Sequence, residues 1–194
     1  QRYRFHIIED ASHAVGGSYL GQPVGNGRFS DLTVFSFHPV KIITTAEGGM
    51  VMSNDAAMAA RLERLRSHGI TRDAALMEAE PEGPWVYEQI ELGLNYRLTD
   101  LQAALGYSQL SQLEASVAKR HQIARRYDTE LAGLPLITPW QSPDAHSALH
   151  LYPIQLDAAR SRINRRQLFD GLRTAGIGVN VHYIPVHTQP HYRR

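Results

Sequence analysis

The sequence predicts an α/β fold: a mostly parallel, doubly wound sheet with helices on both faces, followed by a smaller second unit. Three observations predict it. Phe5-His6-Ile7-Ile8-Glu9-Asp10 reads as a buried strand ending in a carboxylate, and Leu32 to Phe37 is apolar on both faces apart from Thr33 and Ser36, as an interior parallel strand is. Helical periodicity over residues 55–68 and 99–131 then alternates with the strand patterns.

The elements follow in order. The chain does not begin with methionine and opens almost directly in the first strand, which reads as a fragment with a segment preceding Gln1. Gly16-Gly17-Ser18 runs into a turn-rich loop with no helix behind it, so it makes no phosphate cup. Met50-Val51-Met52 is a short strand partner after the Gly48-Gly49 turn. Asn54-Asp55 caps a helix carrying Met58, Leu62 and Leu65, closed by His68-Gly69. Residues 71–92 are acidic and broken by Pro81, Gly83 and Pro84, a loop suited to docking on a neighbouring surface. Thr99-Asp100-Leu101-Gln102 is a capping box opening the longest helical segment, in which Leu101, Leu105, Leu113, Val117, Ala124, Tyr127 and Leu131 keep helical spacing. At 1.5 Å per residue it would reach roughly 50 Å and lead from one domain into another. Pro135, Pro139 and Pro143 mark a break, and His150 to Leu156 reads as the first strand of the second unit. An arginine-rich helix, a stop at Gly176 and a strand-like Ile177–Tyr183 complete that unit.

Composition excludes several classes. The 194 residues, 43% of them hydrophobic, can bury a core, and the net charge of +1 gives no field to gather nucleic acid. Arg160, Arg162, Arg165, Arg166 and Arg173 lie on a helix striped by Leu168, Phe169 and Leu172 and read as a solvated face. No apolar run approaches the roughly 18 residues that span a bilayer. The lack of cysteine excludes disulfides and thiolate metal sites. The expected location is the cytoplasm.

The chemistry centres on Phe35-Ser36-Phe37-His38-Pro39-Val40-Lys41. Of 20 basic side chains only Lys41 and Lys119 are lysines. Arginine keeps its proton and forms no imine, whereas a desolvated lysine becomes a free amine and attacks carbonyl carbon. Lys41 is therefore the candidate nucleophile, although the spacing alone fits a surface lysine equally well. Asp10 closes its own strand, and ligands of open α/β sheets collect at carboxyl strand ends. An acid and an amine at neighbouring strand ends suit pyridoxal phosphate, the lysine carrying the cofactor as an imine and the carboxylate keeping the ring nitrogen protonated. His13 faces the same ligand if the chain turns into a helix after Asp10; otherwise it is a core histidine. Glu9 projects to the opposite face, so Glu9 and Asp10 cannot flank one bond. Neither His182 with His187 nor His146 with His150 has a third ligand on a regular element, and no metal is expected.

Glu9-Asp10-Ala11-Ser12-His13-Ala14, Phe35 to Lys41, Thr44-Thr45-Ala46-Glu47-Gly48-Gly49, Arg66-Ser67-His68-Gly69 and Gly93-Leu94-Asn95-Tyr96-Arg97-Leu98-Thr99-Asp100 together resemble the successive motifs of the DegT/DnrJ/EryC1/StrS sugar aminotransferases, nearly end to end. The resemblance implies part of the large domain of the type I fold of pyridoxal phosphate enzymes over residues 1–131, and part of a small α+β C-terminal domain over 132–194. It implies that Lys41 is catalytic, and that Asp10, His13, Ser36 and Asn95 join it in binding the cofactor. Asn95 would reach the partner's cofactor phosphate in a homodimer with composite sites, and Tyr183 and His187 would touch substrate. The His-Pro-Val-Lys form, with His13 where many relatives carry glutamine, is similar to the branch acting in pseudaminic acid synthesis. The substrates implied are a nucleotide-linked 4-keto-6-deoxy-N-acetylhexosamine and an amino donor, glutamate. Relatives that eliminate water carry histidine in place of this lysine. Two other readings stand beside it: a non-catalytic α/β binding or assembly module, and a mononucleotide-binding protein using Gly25-Asn26-Gly27, weakened because that loop precedes a strand.

Overall fold

The computed structural model describes Tyr3 and residues 5–193. They form two units: residues up to Gln122 with Gln141–His150, and Ile123–Trp140 with Leu151 onward.

In the first unit β1 (Ile8–Asp10), β2 (Ser18–Tyr19), β3 (Gln22–Pro23), β4 (Leu32–Ser36) and β5 (Gly49–Met52) come first in the chain. The central sheet has the order β1-β4-β5. β1 pairs in parallel with β4, Asp10 opposite Val34, while β5 runs antiparallel to β4 with Ser36 opposite Gly49. The expected strand from Phe5 is therefore shorter and, within the described residues, not buried: Ile8 is 65% exposed, because β4 flanks β1 on one side alone. Alternation sends Glu9 to the opposite face from Asp10, where its carboxylate accepts from the hydroxyl of Thr33 (3.2 Å), a residue 1% exposed.

α1 (Ala56–Leu65) starts where the Asp55 carboxylate accepts from the N–H groups of Ala57 and Met58, and ends as His68 and Gly69 take positive φ. The acidic stretch expected to be irregular contains a pairing of β6 (Ile70–Thr71) with β7 (Glu88–Gln89). The Glu88 carboxylate accepts from the N–H groups of Glu78 and Ala79, which gathers the loop onto that ladder.

The long helix is two helices, α2 (Asp100–Leu110) and α3 (Leu113–Glu130). Between them the Ser111 hydroxyl donates to Ser108 O and Gln112 N–H to Gln109 O, so a tightened turn replaces the α-helical ladder. After β8 (Leu136–Ile137) in the second unit the chain returns, and β9 (Ala145–His146) pairs with β2. α3 anchors this return, Arg120 donating to Leu149 O and His150 O and His121 bonding Ser147 O. This is why the units divide within α3, where the sequence suggested one cut after residue 131.

In the second unit β10 (Gln155–Leu156) pairs antiparallel with β8, so of the expected strand His150–Leu156 two residues are strand. Tyr152 donates to Asp128, and burial together with that carboxylate pushes its phenol up to about 12. α4 (Arg165–Thr174) half-buries Leu168, Phe169 and Leu172, with Arg166 paired to Asp170 at 2.6 Å on the solvated side. Residues 177–183 form no strand; six of them are exposed and none has a ladder partner among the described residues.

Candidate active site

Parallel pairing of β1 and β4 brings Asp10 and Ser36 to the same end of the sheet, and Lys41 follows in the loop that leaves β4. The Ser12 hydroxyl donates to Asp10 Oδ1 at 2.6 Å and the Ser12 N–H to the same oxygen at 3.1 Å. These two bonds hold the carboxyl below the usual aspartate range, and the charges of His13 and Lys41 act in the same direction. Asp10, His13 and Lys41 are thus one electrostatic cluster.

His13 reaches it without the helix considered from the sequence. Two successive turns, Ala14 N–H to Ala11 O and Gly17 N–H to Ala14 O, carry the chain away from β1, and the His13 ring lies 4.4 Å from that of His150. Ser36 is half-buried at the end of β4, its hydroxyl 3.5 Å from His38 N. Lys41 is half-buried, whereas Lys119 is exposed on α3 and donates to Gln122 at 3.0 Å.

The Lys41 loop has its own frame. Phe37 N–H donates to Gly48 O, and Phe37 O accepts from Thr45 N–H and the Thr44 hydroxyl. The Thr45 hydroxyl donates to Glu47 O, and Gly48 is obligatory beside it, since a Cβ there would stand 2.2 Å from Thr45 Oγ1. The far side of the loop meets α2: Gln109 Oε1 accepts from Thr44 N–H at 2.8 Å and Gln102 Nε2 donates to Glu47 O at 2.9 Å. Sequence reasoning missed Ser12 and both glutamines. The Asp-x-Ser spacing of a local side-chain turn and the Gln102/Gln109 interval of two helical turns were the available signals.

Asn95 is exposed beside the end of α1, bridged to Ser67, with Tyr96 N–H donating to Arg66 O at 2.9 Å. That bridge runs to Ser67, past the end of α1, and not to Asp10 or Lys41. Tyr183 and His187 belong to the second unit, Tyr183 with its ring edge-on to His182 and His187 in a single 3₁₀ turn. No three metal-ligating side chains converge among the described residues. Gly25-Asn26-Gly27 borders a cavity of about 60 Å³, room for a few waters and not a nucleotide. Asn54 fills the loop, donating to Asn26 O at 2.8 Å.

An α/β sheet that presents an ionised carboxylate at one strand end and a half-buried primary amine in the loop leaving the neighbouring strand offers two groups that fit pyridoxal phosphate, the acid for its ring nitrogen and the amine for its aldehyde. The DegT/DnrJ/EryC1/StrS aminotransferase family model matches residues 1–194, and the chain belongs to that family. It is 42% identical over 193 residues to an uncharacterised protein of Methanocaldococcus jannaschii, covering 99% of this chain and 49% of the relative. It is 40% identical over 195 residues to the UDP-4-amino-4,6-dideoxy-N-acetyl-beta-L-altrosamine transaminase of Campylobacter jejuni, covering all of this chain and 49% of the relative. Among solved structures, the Helicobacter pylori pseudoaminic acid biosynthesis aminotransferase PseC superposes with a TM-score of 0.82 at 32% identity, over 97% of this chain and 48% of that one. The Streptococcus pneumoniae protein Spr1654, a candidate sugar aminotransferase, was solved in PLP and PMP forms; its PMP form gives 0.85 at 33%, over 97% and 48%. The family's cofactor is pyridoxal phosphate. The chain spans about half the length of the relatives it matches. Among the described residues no helix is long and apolar enough to cross a membrane.

Proposed function

We propose that the protein transfers an amino group to a nucleotide-linked 4-keto-6-deoxy sugar of the UDP-N-acetyl type, on a route like that to pseudaminic acid, with glutamate as donor, in the cytoplasm. The observation that carries this reading is the parallel pairing that sets Asp10, at the end of β1, beside the loop leaving β4 that carries Lys41, in a chain the family model spans throughout. Pyridoxal phosphate, when bound, supplies an electron sink for the reacting carbon. Asp10, kept anionic by Ser12, is the charge partner for a protonated ring nitrogen. Lys41 holds the cofactor and, once displaced, its Nζ moves the proton at the reacting sugar carbon. His13 would hold the cofactor's ring, and Ser36 and Asn95 would hold its phosphate. Tyr183 and His187 contact the sugar nucleotide.

Borohydride reduction of the full-length protein with pyridoxal phosphate, followed by peptide mapping, tests this. The cofactor is expected on Lys41; its recovery on Lys119, or on neither, overturns the assignment. Asn95 acts across a homodimer in this reading. Mixing Lys41→Ala subunits with Asn95→Ala subunits should then restore activity as subunits exchange, because one site regains both groups. Activity no higher than that of the Asn95→Ala protein would place Asn95 in its own chain's site. The second reading, a non-catalytic assembly module, draws on the exposed apolar side chains Leu92, Leu101 and Tyr107, each more than 80% accessible, and predicts no covalent capture of the cofactor.

A further inference from the structure

Gln102, Gly106 and Gln109 lie at i, i+4 and i+7 of α2 and so form one stripe of that helix. Every member of the stripe is matched to the loop that carries Lys41. Gln102 is doubly committed: its Oε1 accepts from Thr99 N–H and the Thr99 hydroxyl, each at 3.0 Å, which leaves Nε2 to donate to Glu47 O at 2.9 Å. Gln109 has the opposite polarity, offering Oε1 to Thr44 N–H at 2.8 Å. Backbone partners force both assignments, since an N–H can only donate and a carbonyl can only accept. Between the two amides Gly106 brings the helix backbone against Thr45, a residue 2% exposed; a Cβ at 106 would stand 2.7 Å from Thr45 Cγ2. The loop needs outside support, because Ala46 holds a φ of 66° that a residue with a side chain adopts only where its surroundings enforce it.

We propose that this stripe is a splint for the Lys41 loop, with Gln102 and Gln109 as positioning residues that fix where the amine stands relative to Asp10. The proposal rests on the reading of Lys41 as the cofactor-bearing residue, and it leads to an inverted pattern of tolerance. Glutamate at 109 still accepts from Thr44 N–H. Glutamate at 102 loses the donor and sets an oxygen against Glu47 O.

The test is hydrogen–deuterium exchange across residues 41–48 of the full-length protein, run without cofactor, alongside the rate at which pyridoxal phosphate is captured on Lys41. Gln109→Leu and Gln102→Glu are expected to speed exchange in that segment roughly three- to tenfold, the scale of one lost hydrogen bond, with α1 unchanged. Both should slow cofactor capture by a similar factor, and Gln109→Glu should match the native protein in both measurements. Unchanged exchange in Gln109→Leu, or a Gln109→Glu protein as disturbed as Gln109→Leu, overturns the splint. Should Gln109→Leu fail to fold, the two isosteric glutamate variants decide, and Gln109→Glu more disturbed than Gln102→Glu overturns it. If the native protein captures no cofactor on Lys41, the functional reading fails while the exchange comparison still decides the splint.

Discussion

At the scale of single residues the site depends on keeping one exposed carboxylate charged. Asp10 is held below the ordinary 3.8 of an aspartate first by the Ser12 hydroxyl and N–H, then by the charges of His13 and Lys41. Its folded carboxyl therefore titrates below its unfolded one. Between the two values the unfolded chain binds more protons, so the contribution of these bonds to stability is complete above the unfolded value and is lost as pH falls through the folded one. Ser12→Ala should move the Asp10 midpoint upward toward 3.8, read by carboxyl NMR titration, because the hydroxyl that does most to hold it down is gone. An unmoved midpoint would assign the support to the N–H of residue 12 and the charges of His13 and Lys41 instead. Asp10→Asn should leave covalent capture of the cofactor intact while slowing amino transfer by orders of magnitude, since a neutral amide lacks the charge that keeps the ring nitrogen protonated. Unchanged turnover would remove Asp10 from the site.

At the scale of elements the decisive packing is α2 against the Lys41 loop. An ordinary helical glycine gains about 0.5–1 kcal/mol on replacement by alanine. At 106 the new methyl stands 2.7 Å from Thr45 Cγ2, and overpacking of that kind costs about 1–3 kcal/mol. The second effect is the larger, so Gly106→Ala should lower Tm. In a Thr45→Ser background, where Cγ2 is gone, the same substitution should be neutral or stabilising, and a Gly106→Ala penalty independent of residue 45 would show that the contact is not the cause. The caps of these helices were legible, because Thr99-x-x-Gln102 and Asp55 act through backbone within three residues. Asn164-x-x-Gln167 carries the same box at α4 and was equally readable. Lys41 and Asp10 stood out by residue type and strand-end position. What the sequence hid is what depends on distant partners. The turn at 111–112 lies in unbroken helical periodicity, β6 and β7 are two-residue strands paired across the acidic loop, and Thr44 meets Gln109 from 65 positions away. The strand expected over 177–183 failed because alternation alone supplies no ladder partner.

At the scale of the molecule, the first unit leaves large apolar side chains exposed, including Leu92 at 88% and Leu101 at 85%. Residues 1–194 expressed by themselves should bind a hydrophobic dye and self-associate in sedimentation experiments, as exposed sheet edges and apolar patches of this extent do. A dye-silent monomer would contradict this. The return of residues 141–150 to the first unit also bears on the order in which the protein can be made. β2 receives its β9 partner, and Arg120 and His121 their carbonyls, only after the second unit's Ile123–Trp140 has been synthesised. The first unit is therefore discontinuous in time as well as in sequence. A nascent chain that has reached residue 131, where the periodicity of the sequence ends, still lacks the strand that completes the unit behind it, and that unit can close only once about twenty further residues have left the ribosome.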